Sequence, residues 1–219
     1  MSKEQQLGLD AILRQGGLDT GGDVPALRTA FAELMSQIPV APDIQQTPIA
    51  LGGVAGIQVV AGEPSTDDVI LYFHGGVYVI GSASASVPLA GDIARRTGMR
   101  VDTLDYRLGP EHPYPAAVQD AVAAYDYIIS HYRDDPTPAL HESVAHALVS
   151  RGVALGRLGR FEEELAAYDD VISHYRNDPA RREQVAKALY NRGVALEELV
   201  ASRTEPTDTV SSRTVGGRS

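Results

Sequence analysis

Residues His74-Gly75-Gly76-Val77-Tyr78-Val79-Ile80-Gly81-Ser82 are where this chain concentrates its potential for chemistry. Glycine lets a backbone approach a ligand closely and take dihedrals closed to other residues. A turn of this composition suits an oxyanion hole, in which backbone N–H groups stabilise the charge that develops after a nucleophile attacks a carbonyl. The nucleophile for that chemistry would sit on a Gly-x-Ser-x-Gly elbow. The chain contains no such elbow, and the only serine with a glycine two positions before it is Ser219. Ser82, Ser84 and Ser86 read as turn and helix-cap residues. The histidines offer no replacement base. His131 and His174 recur at equivalent places in a repeat and read as helix-surface residues, and His112 sits among prolines in a loop. His141 and His146 are five positions apart, roughly 140° around a helix, whereas a zinc helix needs them four apart. No catalytic residue, metal site or cofactor site is therefore expected.

The turn must be held by regular elements. Val69–Phe73 is a continuous apolar run, as in a strand covered on both faces. A helix near Ser86–Thr97 and a strand Arg100–Tyr106 follow, so strand, helix and strand make a βαβ unit with a right-handed crossover. Upstream, Thr47–Leu51 and Gly56–Ala61 flank Gly52-Gly53 and read as a hairpin. Residues 1–40 carry apolar residues at helical spacing, Leu9, Ile12 and Leu13, then Leu27, Phe31 and Leu34, broken by Gly16-Gly17 and Gly21-Gly22. Pro39, Pro42 and Pro48 impose an extended path. Pro110, Pro113 and Pro115 bar a helix before about Ala116.

From Ala116 helix formers dominate and the sequence repeats. Ala124–Pro136 recurs as Ala167–Pro179, an offset of 43 residues (168 − 125), and Arg151–Leu155 recurs as Arg192–Leu196, an offset of 41 (192 − 151). A period near 40 built of helix, turn and helix is a solenoid signature. Residues 201–219 are rich in Ser, Thr and Gly and read as a disordered tail.

Two resemblances follow. The strand, His74-Gly75-Gly76, Tyr78 and Gly81-Ser82, and then Asp105-Tyr106-Arg107-Leu108-Gly109-Pro110-Glu111-His112-Pro113-Tyr114-Pro115-Ala116-Ala117, are similar to two hallmarks of the hormone-sensitive-lipase-like (type IV) esterases of the α/β-hydrolase fold, over residues 5–128. The resemblance implies an oxyanion hole from the N–H groups of Gly75, Gly76 and Val77. It gives His74, Asp105, Tyr106 and Arg107 structural roles, and residues 1–45 the place of a helical cap. Val77 stands where a third glycine is usual, and a β-branched residue sits poorly at positive φ. The family's serine, acid and histidine are not found downstream. The second resemblance, over about 124–200, is to bacterial tetratricopeptide repeats, carried by Leu148, Gly152, Leu155, Gly159, Tyr168 and Pro179. It implies helices near Pro138–Leu158, Arg160–Tyr175 and Ala180–Val200. Glu164 stands where alanine is usual, so its charge needs a partner or an escape route. The join falls inside one helix, Ala116–Tyr132, where both families read alike.

The expected architecture is α/β, the N-terminal part of an α/β-hydrolase sheet (46–123, a hairpin plus a βαβ unit) followed by an all-α tetratricopeptide-like segment (124–200) and a tail (201–219). The expected function is a hybrid without catalytic competence. The alternatives are a carboxylester hydrolase for short-chain esters, and a fusion with no selected function. Expected partners are a protein or peptide on the helices and a second copy through the edge Val69–Phe73. The net charge is −10, and neither half has the basic footprint of a nucleic-acid binder. There is no cysteine, and no leader or membrane span is read, so a cytoplasmic location is expected.

Overall fold

The computed structural model describes residues 23–135 and 137–204. The sequence readings on 1–22 and 205–219 lie outside them. The described chain runs through α1 (Val24–Ser36), β1 (Ile44–Leu51), β2 (Val54–Ala61), β3 (Val69–Tyr72), α2 (Ala83–Thr97), β4 (Arg100–Leu104), α3 (Ala116–Tyr132), α4 (Pro138–Arg157), α5 (Phe161–Tyr175), a 3-10 turn (Pro179–Arg181) and α6 (Arg182–Thr204). The strands form one four-stranded sheet in the order β1-β2-β4-β3. The hairpin pairs Leu51 with Val54, and Gly52 and Gly53 take positive φ of 59° and 85° as the tight connection requires. β4 lies between β2, antiparallel, and β3, parallel.

The elements differ from the sequence reading mostly at their ends. β1 and β2 begin at Ile44 and Val54, earlier than read, and Pro48 is tolerated in β1 because that strand lies at the sheet edge. β3 and β4 end at Tyr72 and Leu104, short of Phe73 and Tyr106, where the chain leaves the ladder for the turn and the proline loop. α2 begins three residues early because Ser82 is its N-cap, its Oγ accepting from the Ala85 N–H at 3.0 Å. α6 runs past Val200 to Thr204, through part of the segment read as tail. Its last turn is held by Ser202 Oγ donating to the Leu199 carbonyl and by Arg203 paired with Glu162 at 3.0 Å.

Burial follows the two faces of the sheet. On one, Val59 and Val101 meet Val87, Ala90 and Ala94 of α2, and each fully buried valine contributes about 1.5–3 kcal/mol. On the other, Leu51, Val54, Leu104 and Leu71 pack on Ala123, Ala124 and Tyr127 of α3. β3 lies at an edge of the sheet with its four residues half-buried, so helices cover its faces while its outer main-chain edge has no described strand beside it.

Helices α3 to α6 stack in sequence order. Asp126 of α3 pairs with Arg151 of α4 at 2.5 Å, and the repeat copies, Asp169 of α5 and Arg192 of α6, pair at 2.6 Å. His131 and His174 are exposed and equally placed, each Nδ1 lying 3.1 or 3.0 Å from the carbonyl four residues before it. His146 Nε2 meets Gln184 Nε2 at 2.7 Å, a contact between α4 and α6. Between α4 and α5 the spacer is glycine. A Cβ at Gly152 would lie 2.4 Å from the Tyr168 ring, and one at Gly156 would lie 2.5 Å from Glu164 Oε2. Gly156 thus makes the room that Glu164 occupies. Glu164 is buried, accepts from Tyr168 Oη at 3.0 Å through Oε1, and leaves Oε2 without a partner. Burial raises its pKa above the usual carboxylate range.

Two outcomes follow. Gly152→Ala will lose about 1–3 kcal/mol in urea unfolding, because the ring of Tyr168 must move. Gly193→Ala, at the equivalent place on α6 with nothing within 4 Å of a Cβ, will gain up to about 1 kcal/mol from helix propensity. Because the Glu164 pKa is raised on folding, its contribution is intact below its unfolded value and is lost as pH rises through the folded one. Glu164→Gln will therefore match the wild type near pH 4 and exceed it in stability at pH 7. Parallel pH profiles of the two proteins would show that burial of the charge has no cost.

Candidate functional site

β3 and β4 are parallel neighbours, so the turn after β3 and the loop after β4 leave the sheet at the same end. Asp105-Tyr106 and His74–Ser82 are thereby brought together. The turn is an unusual piece of backbone. Gly76 has φ 121°, Val77 50°, Tyr78 62° and Gly81 102°. Only glycine enters this region freely, and a non-glycine residue held there costs on the order of 1–3 kcal/mol. Val77 does sit at positive φ, so the surroundings must hold it. At Gly76 a Cβ would meet the Ile80 carbonyl oxygen at 2.1 Å, and at Gly81 it would meet His74 Nδ1 at 2.4 Å. Both glycines are sterically required.

The sequence-assigned residues do the holding. His74 is buried, its Nδ1 2.8 Å from the Gly75 carbonyl and its ring stacked on Tyr106 at 4.4 Å. Tyr106 Oη donates to the His74 carbonyl at 2.5 Å, and burial pushes its phenol up to about 12, so it is a neutral donor at physiological pH. Asp105 accepts from the Ala83 N–H at 2.6 Å, tying β4 to the start of α2. Arg107 pairs with Asp120 of α3 at 2.8 Å, fixing the proline loop to that helix.

One anchor was missed in the sequence. Arg28 of α1 donates through Nε to the Val79 carbonyl and through Nη2 to the Gly109 carbonyl, both at 2.8 Å, and pairs with Glu111 at 2.7 Å. It joins α1, the turn and the proline loop in one clamp. An arginine on an exposed helix carries no sequence signal of its own, though Glu111 within the second hallmark was a visible partner.

The N–H groups of Gly75, Gly76, Val77 and Tyr78 make no hydrogen bond to another described residue. They border a cavity of about 590 Å³ whose lining includes Phe73, Tyr106 and Ala121, and on the far side Ser150, Val153, Ala154 and Arg157 of α4. The α4 wall was also not foreseen. Among the described lining residues Arg157 alone has a fixed charge, and none is a carboxylate. Ser150 lies beside the Tyr125 phenol, and the one imidazole among the described lining residues, His74, is engaged by its own turn. Among the described lining residues no serine is hydrogen-bonded to an imidazole. Among the described residues no three His, Cys, Asp or Glu side chains cluster as for a metal, and no helix is long and apolar enough to cross a membrane.

A mixed sheet flanked by helices, with a strained glycine turn at the exit of its parallel pair, defines an α/β-hydrolase-like fold, and the comparisons agree. Residues 70–150 match the family model for the alpha/beta hydrolase fold, a stretch that extends past Ala123 into α4. The chain is 38% identical over 104 residues to an esterase of Acinetobacter venetianus, covering 48% of this chain and 34% of that one. It is 36% identical over 132 residues to Esterase LipI of Mycobacterium tuberculosis, covering 57% of this chain and 40% of the relative. Among solved structures, an esterase from the bacterial hormone-sensitive lipase family superimposes with a TM-score of 0.57 at 34% identity, over 73% of this chain and 55% of the other. The chain thus spans little more than a third of the length of these two curated relatives.

Tyr106→Phe will lose about 1 kcal/mol in chemical denaturation at pH 7, the net worth of one hydrogen bond. An unchanged midpoint would mean that Tyr106 supports the turn by stacking alone.

Proposed function

We propose that this chain binds acyl compounds without hydrolysing them. In this reading the N–H groups of Gly75, Gly76 and Val77 receive a carbonyl or carboxylate oxygen, the apolar wall of α3 and α4 receives the chain attached to it, and helices α3–α6 are a tetratricopeptide-like segment that contacts a protein. One observation carries the proposal. The turn lines one cavity with a helix bearing Ser150, Val153, Ala154 and Arg157, and no serine elbow lies among the described lining residues. An oxyanion hole and binding without a nucleophile leave only a small part of such an enzyme's rate. Loss of the catalytic serine, acid and histidine is part of the proposal, as is the division into a partial hydrolase sheet and a repeat segment.

A second reading, a carboxylester hydrolase acting on short-chain esters, is favoured by the relatives named esterases. One pair of samples separates the two. With p-nitrophenyl butyrate, the wild-type chain and Gly76→Ala will both release nitrophenol at the buffer rate. Calorimetry with the same ester will give heat of binding for the wild type only, since a Cβ at residue 76 collides with Ile80. Saturable turnover that Gly76→Ala abolishes would establish the esterase and end the non-hydrolytic reading.

A further inference from the structure

The internal repeat extends further than its signature. Val144–Leu155 of α4 reads VAHALVSRGVAL, and Val185–Leu196 of α6 reads VAKALYNRGVAL, identical at nine of twelve positions. The two helices have different surroundings. On α4 the stripe Leu148-Gly152-Leu155 is covered, Gly152 by Tyr168 of α5 and Leu155 by Val118 and Val122 of α3. Leu148 is 4% and Leu155 0% exposed, and the ring of the fully buried Tyr168 lies on Gly152. On α6 the same stripe is largely exposed. Leu189 is 55% and Leu196 38% exposed, Val200 extends the stripe at 61%, and a Cβ on Gly193 would meet nothing within 4 Å. The opposite face of α6 is the packed one, through Ala188, Ala195 and the Arg192–Asp169 pair.

We infer that α6 carries a docking site for one amphipathic helix of the α5 kind. The chain itself displays the occupant of this socket: a helix that lays a tyrosine over the glycine, beside the leucine one turn before it. The copy also states how the occupant must differ. Gly156, which makes room for Glu164 of α5, is replaced on α6 by Glu197. A glutamate one turn before the tyrosine would be repelled there, whereas a lysine, arginine or small residue fits. The partner is therefore a helix with a central tyrosine and a basic or small residue four positions before it. The proposal rests on the interaction half of the reading above and is independent of the ester chemistry, so the nitrophenyl assay and the test below fail separately.

The probe is a labelled synthetic peptide with the sequence of Phe161–Tyr175 carrying Glu164→Lys, followed by fluorescence anisotropy against the full chain. Saturable binding is expected, roughly two- to fivefold tighter than for the unmodified peptide, the range an exposed charge pair supplies. Gly193→Leu fills the socket on an exposed helix surface and should abolish binding while the circular dichroism spectrum is retained and the unfolding midpoint does not fall, since replacing a helical glycine is itself stabilising. Binding that survives Gly193→Leu, or no binding of the lysine peptide, would overturn the assignment. Light scattering covers the remaining occupant: a wild-type dimer that Gly193→Leu returns to monomer would show that a second copy takes the face, and the proposed partner helix would be wrong.

Discussion

The turn between β3 and α2 is the constraint around which the first half of the molecule is built. Four of its residues hold positive φ, two of them with side chains that resist it, so the turn cannot hold itself. It is gripped from three directions. Tyr106 beneath it takes the His74 carbonyl and stacks on its ring, Arg28 above it takes the Val79 carbonyl, and the Gly109 N–H donates to the Tyr78 carbonyl at 2.8 Å. Each of these groups is placed by a different element, and Asp105, Arg107 and Glu111 fix those elements to one another. What the residues share is the upkeep of one short run of backbone in which the N–H groups of Gly75, Gly76, Val77 and Tyr78 bond to no other described residue.

A second constraint governs the helices. Close packing of α4 on α5 requires glycine at 152 and 156, and the space so made is filled by Tyr168 and Glu164. The buried carboxyl, satisfied at one oxygen only, ties this interface to solution pH through its raised pKa. A salt bridge of the same design repeats between α3 and α4 and between α5 and α6, so the repeat in sequence is also a repeat in contacts.

Much of this was legible beforehand. Alternation, apolar runs and glycine pairs located all four strands and the hairpin, since these signals arise from neighbouring residues. The repeat located the helices to within a few residues. The structural duties of His74, Asp105, Tyr106 and Arg107 were expected from a motif resemblance rather than from physics, and the resemblance named none of the partners these side chains have in the structure. The reach of Arg28 across 51 residues to Val79 and of α4 into the cavity wall were not legible. Both depend on how separate elements pack, and the side chains involved have no periodicity or motif. Element ends were shifted for a related reason: Ser82 as a cap and Pro48 at an edge are tolerated by tertiary position.

The single helix α3 has a consequence for how such a molecule can change. Its first turns lie against the sheet, with the Gly52 turn so close that a Cβ there would meet the Ala123 carbonyl at 2.2 Å, while Ile128 and Ile129 near its end belong to the helical stack. Val118 and Val122 in its first turns also pack with Ala154 and Leu155 of α4, while α5 and α6 stack beyond its far end. Helices can therefore be gained or lost at the far end of the stack as whole units, like beads on a peg, without disturbing the sheet or the glycine turn.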